Sequence, residues 1–286
     1  MTHPVIKPIK LGLLFLLPLL FFACDALNLL SSTARPSAKV VSTSIDGLDL
    51  NGLNLNFGVE IQNPYSTNIP LTQLSYALAT EGTPFLSGQL ADKPGSIPAL
   101  GSTVVQVPVR INFQKAMQMV SSIQPGKSVP YQADLTISVD ALGLGNVDIP
   151  LRQSGQIPVP DLPKIEVSDV AWQEISISKA RAEVKLKMTN PNDFALALQQ
   201  MNYRFSLGGN EIANSQLQVA QSLASNEESE LIIPLEFASM SLGMGVLNLI
   251  KGSGASYELN GDLKVGTDFG PMEFPLAKTG EVNFNR

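Results

Sequence analysis

KLKMTNPNDF (residues 185–194) carries an apolar/polar alternation straight into an Asn-Pro pair, and VEIQNPYSTN (59–68) does the same earlier in the chain. Ala180, Ala182, Val184, Leu186 and Met188 alternate with Arg181, Glu183, Lys185, Lys187 and Thr189. That period of two predicts a strand with one face buried and one in water. Leu53, Leu55, Phe57, Val59 and Ile61 alternate in the same way with Asn54, Asn56, Gly58, Glu60 and Gln62. Proline gives no N–H to a sheet ladder, and it holds the residue before it in extended geometry. The asparagine side chain can bond the backbone ahead of it and start a turn. Asn63-Pro64 and Asn190-Pro191 are therefore read as strand ends of structural value.

The two stretches stay in step beyond the pair. PLTQLSYAL (70–78) matches ALQQMNYRF (197–205), and TEGTPFLSGQL (80–90) matches LGGNEIANSQL (207–217) as a glycine-containing hairpin. VVQVPVRINF (104–113) matches ELIIPLEFAS (230–239), so that Pro108 and Pro234 each predict an edge strand. The period then changes to that of a helix. Phe113, Ala116, Met117, Val120 and Ile123 share one face, as do Phe237, Met240, Met244, Leu247 and Ile250. YQADLTISVD (131–140) and DIPLRQSGQIPV (148–159) return in the second copy as YELNGDLKVGTD (257–268) and EFPLAKTGEVNF (273–284). Asp140 and Asp268 are read as turn residues, and Trp172 as part of a core.

Each copy thus spells about seven short strands and one helix in about 125 residues, an ordinary domain size. The fold expected is mostly β: two tandem antiparallel β-sandwiches of the fibronectin or immunoglobulin kind. The first covers 38–157 and the second 158–286, with GQIPVPDLPK (155–164) as a short, proline-stiffened linker.

The alternating strand ending in Asn-Pro-Asn, the strand with L-x-x-L/M-x-Tyr, the glycine hairpin and the V/I-Pro-V/L before a helix resemble the water-stress and hypersensitive-response (WHy) domain. That domain belongs to the late-embryogenesis-abundant type 2 family. Asn190, Pro191 and Asn192 carry the whole motif; the first copy departs from it, with Tyr65 in the third place. The resemblance implies a folded sandwich linked to desiccation and other stress protection. It assigns no catalytic residue and no cofactor.

The first residues carry a different message. Lys7 and Lys10 precede an apolar run from Leu11 to Ala23, the length of a signal-peptide core and short of a membrane span. Cys24 follows Ala23, and the junction resembles a bacterial lipobox with Phe21 where leucine is usual. Residues 1–23 are then a lipoprotein signal peptide, Cys24 the lipidated N-terminus, and 24–37 a tether holding the chain to a membrane of the cell envelope, facing the periplasm. Alternative readings of Cys24 are a buried free thiol or an ordinary secretory cleavage nearby, and the choice of membrane stays open.

Composition narrows the function. The 286 residues are 44% hydrophobic, with net charge −6, one cysteine and one histidine. Loss of residues 1–23 removes His3, Lys7 and Lys10 and takes the charge to −8. Without histidine, and with its one cysteine acylated, the chain has no Ser-His-Asp or Cys-His system and no zinc site of those ligands. The acidic balance and scattered cations argue against nucleic acid as a partner. SNEESE (225–230), the one acidic cluster, reads as a solvated loop. The chain is accordingly expected to be non-enzymatic, without cofactor or metal. The function expected is protection of client proteins or membranes as water is withdrawn; the alternatives are carriage of a lipid or other apolar ligand beside the methionine-bearing helices, an assembly role through an exposed sheet edge, and hydrolysis by a carboxylate pair in a cleft.

Overall fold

The computed structural model describes residues 34–90, 95–141, 145–176, 178–237, 252 and 254–285. In the first copy, β1 (Ser37–Leu48), β2 (Gly52–Gln62) and β6 (Ser102–Asn112) form one antiparallel sheet in the order β1-β2-β6. The facing sheet has β3 (Ile69–Thr80), β4 (Thr83–Leu90), β7 (Ser128–Ala141) and β8 (Gly145–Pro158), ordered β4-β3-β7-β8. The short β5 (Gly95–Ile97) pairs with the start of β3. A helix of about two turns, α1 (Phe113–Met119), follows β6.

The second copy repeats this order. β9 (Lys164–Ile175), β10 (Ala180–Thr189) and β13 (Glu228–Phe237) form the smaller sheet. β11 (Leu196–Leu207), β12 (Asn210–Leu223), β14 (Gly254–Thr267) and β15 (Gly270–Asn285) form the larger, ordered β12-β11-β14-β15. The uninterrupted β12 takes the place of β4 and β5 together. Two parallel pairs, Phe284↔Val170 and Asn285↔Ala171, join β15 to β9 and close one side of this sandwich. These are the exception to an otherwise antiparallel fold.

The alternation in sequence becomes the two faces of each sheet. Leu53, Leu55, Phe57, Val59 and Ile61 are buried on β2, as are Ala182, Val184, Leu186 and Met188 on β10. They belong to two separate cores, one bounded by Leu53 and Val159 and the other by Ile165 and Val282. Fully burying one such side chain contributes about 1.5–3 kcal/mol. Pro108 lies on β6 opposite Asn56, and Pro234 on β13 opposite Glu183; each strand pairs on one side only among the described residues, as the prolines predict. Tyr131 packs across Gly155 and Tyr257 across Gly280, where a Cβ would stand 2.8 Å from the ring. The same tyrosine-over-glycine pairing in both copies marks the repeat at the level of packing.

Several expectations change in detail. The linker is shorter than 155–164, because Ser128↔Pro158 pairing takes residues 155–158 into β8. The helix ends at Met119, since Val120 is extended (φ −136°). Phe113, Ala116, Val120 and Ile123 nevertheless all face the core, the last two from a turn. Phe237 ends β13, and the rest of the second helical face, Met240 to Ile250, lies outside the described residues. Asp140 still pairs with Asn146 within β7 and β8, whereas Asp268 is in a turn. Glu228 to Glu230 of the acidic cluster begin β13. Trp172 is only partly buried, against the second core.

Candidate functional site

Asn63 and Asn190 are buried, at 3% and 0% exposure, and each is saturated with hydrogen bonds. Asn63 Nδ2 donates to the carbonyls of Thr67, Ile97 and Pro98 at 2.8, 3.1 and 3.0 Å. Its Oδ1 accepts from the Tyr65 N–H at 2.9 Å. Asn190 Nδ2 donates to Phe194, Leu223 and Ala224 at 2.8, 3.2 and 3.0 Å, and its Oδ1 accepts from the Asn192 N–H at 3.0 Å. One side chain thus ties the strand end to the following turn and to a second connection across the sandwich. An amide suits this place because it donates and accepts with no charge to bury.

The second copy adds a layer. Asn192, also fully buried, donates to Asn190 Oδ1 at 2.9 Å and to the Asp161 carbonyl at 3.1 Å. Its Oδ1 accepts from the Asp161 N–H at 2.7 Å, so both backbone groups of this linker residue are held. Beside it, the Asp193 N–H donates to the Gly126 carbonyl at 2.7 Å, and Lys127 Nζ meets Asp193 Oδ1 at 3.0 Å. Gly126 has φ +81°, and a Cβ there would lie 2.8 Å from the Pro191 carbonyl oxygen. Leu48 at the end of β1 and Leu50 in the following turn pack against the second core. These contacts form a joint between the two sandwiches. Neither Gly126 nor Asp161 was singled out by periodicity; a Pro-Gly turn at 125–126 was the available signal.

A concavity lies elsewhere, beside α1. The helix packs across the side of the first sandwich where β4 and β6, edges of opposite sheets, face one another. Asn112 caps it by accepting from the Lys115 N–H at 2.9 Å. Between α1 and β4 runs an open groove of about 550 Å³ with an apolar floor that includes Ala77, Phe85, Ile111 and Ala116. Met119 lies on its wall with 60% of its surface exposed. Arg110 and Lys115 also line it, and among the described lining residues none is acidic. A depression of about 410 Å³ at Arg35, Asn63 and Leu100 is more polar and marks where the chain enters the first sandwich.

The carboxylates with shifted pKa values sit at the surface of the sheets. Glu60, Asp134, Asp193 and Glu236 are held below the usual carboxylate range by hydrogen bonds from Lys39, Arg152, Lys127 and Lys179. Burial pushes the Tyr131 and Tyr203 phenols up. A general acid needs a carboxyl raised toward neutrality, the opposite of these shifts. Among the described residues no three His, Cys, Asp or Glu side chains converge as a metal site would require. Cys24 lies outside the described residues.

Architecture and site together define a tandem β-sandwich protein with capped strand ends and a groove, rather than a cleft of reactive groups. The late embryogenesis abundant protein family, LEA_2, matches residues 58–155 and 185–280, one match in each copy and more than half of the chain. The chain belongs to that family. A desiccation-related protein of Arabidopsis thaliana is 31% identical over 133 residues, which are 46% of this chain and 80% of the relative. The desiccation protectant protein Lea14 homolog of Glycine max is 32% identical over 128 residues, 45% of this chain and 84% of the relative. The solution structure of a late embryogenesis abundant protein aligns with 50% of this chain and 79% of its own, at 31% identity and a TM-score of 0.38. The expectation of two LEA-type units is met by the double match, and these relatives are named for desiccation rather than for a reaction.

Proposed function

We propose that the chain is a non-enzymatic water-stress protein of the cell envelope, held to a membrane through a lipid on Cys24 and facing the periplasm. The double family match, to relatives named for desiccation, is the observation that carries this reading. Two rigid, net-acidic sandwiches on a tether would stand between client proteins or membranes as water leaves, and their shared charge keeps copies apart. The test is to dry and rehydrate a labile enzyme with the purified full chain. The chain preserves more activity than an unrelated β-sandwich of similar size and charge; equal preservation by the two would remove the proposal.

A second reading, carriage of a lipid or other apolar ligand, is favoured by one feature, the groove beside α1. Its volume falls in the roughly 300–1,000 Å³ range of small-molecule sites, and its floor is apolar.

A further inference from the structure

We infer that the groove between α1 and β4 binds a single-chain amphiphile with an anionic head, a free long-chain carboxylate. This deepens the apolar-ligand reading and rests on it. The floor offers hydrocarbon: Ala77 from β3, Phe85 from β4, and Ile111 and Ala116 from β6 and α1. An alkyl chain laid there removes apolar surface from water on both partners. Met119 is one of six large hydrophobic side chains that stand exposed among the described residues, and the only one of them on this wall. Its unbranched thioether can fold over chains of differing shape.

Charge decides the head group. The chain is net −6, yet among the described residues lining this groove the two charged side chains are both cations, Arg110 and Lys115. Both are exposed, and neither forms an ion pair among the described residues. Arg110 makes only a long 3.4 Å contact to the neutral Asn54 amide, which leaves most of its donor fork free. A carboxylate can therefore accept charge-assisted hydrogen bonds at the rim while its tail lies on the floor. An ammonium head meets repulsion at the same place. Size favours one chain over two. At roughly 30 Å³ per methylene, about a water molecule's share of volume, the groove of about 550 Å³ has room for one chain of up to about eighteen carbons.

The experiment uses the purified full chain and a fluorescent eleven-carbon carboxylate, displaced in turn by dodecanoate, dodecanol and dodecyltrimethylammonium. Phosphatidylglycerol vesicles form a separate arm. Dodecanoate competes best, and the double variant Arg110→Gln/Lys115→Gln weakens it about tenfold, the worth of a lost charge-assisted pair. Dodecanol competition stays unchanged in that variant, and Met119→Glu weakens both. Both variants are exposed-site changes, with folding checked by circular dichroism. Equal competition by the ammonium, or unaltered dodecanoate competition in the double variant, overturns the anionic assignment. Continued dodecanol binding in that case leaves the broader apolar-ligand reading standing. No competition by any of the three removes both, and vesicle binding without dodecanoate binding replaces the free carboxylate with a membrane surface.

Discussion

Asn63 and Asn190 occupy the same place in two copies of one fold, and two residues later the copies part company. Asn190 is followed by Asn192, which adds two bonds to the linker at Asp161. Asn63 is followed by Tyr65, whose N–H serves the same turn but whose side chain packs on the first core. The first residue of the motif therefore closes a sandwich, and the third decides whether the closed end also holds the preceding chain. The second copy has the first sandwich before it to hold.

The largest effect is expected where this comparison says the copies agree. Asn190→Ala removes a fully buried amide that bonds the Phe194, Leu223 and Ala224 carbonyls and both the backbone N–H and the side-chain amide of Asn192, which costs about 3–5 kcal/mol. Asn63→Ala should approach that cost in the first sandwich, at the slightly more open site. Thermal unfolding of the two variants checks both; a loss below about 1 kcal/mol in either would break the equivalence. If a fully folded Asn190→Ala chain lost protective activity, the motif would be functional rather than structural.

The joint comes next. Gly126→Ala places a Cβ at positive φ and close to the Pro191 oxygen, at a cost of about 2 kcal/mol, visible as a lower melting temperature and a larger radius of gyration in solution scattering. A smaller, pH-dependent contribution comes from Asp193. Lys127 lowers its pKa, so the stabilisation is present at neutral pH and is lost as pH falls below the ordinary value of 3.8. The stability difference between wild type and Asp193→Asn should therefore start to shrink as pH falls through that value and vanish only below the lowered folded-state pKa, and added salt should shrink it at pH 7. The smallest change is Tyr65→Phe. Its hydroxyl is buried without a hydrogen-bond partner in the structure, so removal should be neutral or stabilising by up to about 1 kcal/mol. Destabilisation would mean that the first copy uses this residue after all.

Much of the fold is legible in the sequence because it is local. Alternation on β2 and β10, the glycine hairpins and the edge prolines each depend on a few neighbouring residues. The length of α1 is less so: an apolar period of 3.6 continues to Ile123, while the backbone turns extended at the β-branched Val120. The parallel closure of β15 on β9 joins opposite ends of one copy and leaves no periodic trace. The groove needs β3, β4, β6 and α1 at once, so its cations could not be told from ordinary surface charge in one dimension. At the joint, Asn192 is legible as part of a motif, but its partner Asp161 lies in a proline-stiffened linker whose pattern carries no sign of a contact.

The role of that third residue can be measured directly. The chain has one tryptophan, Trp172 on β9, so its fluorescence reports the second sandwich alone. In urea unfolding of the full chain, Asn192→Ala should lower the Trp172 midpoint by about 1 M, from a loss of about 2 kcal/mol. An unmoved midpoint would contradict the claim that Asn192 fastens the second sandwich to the chain before it.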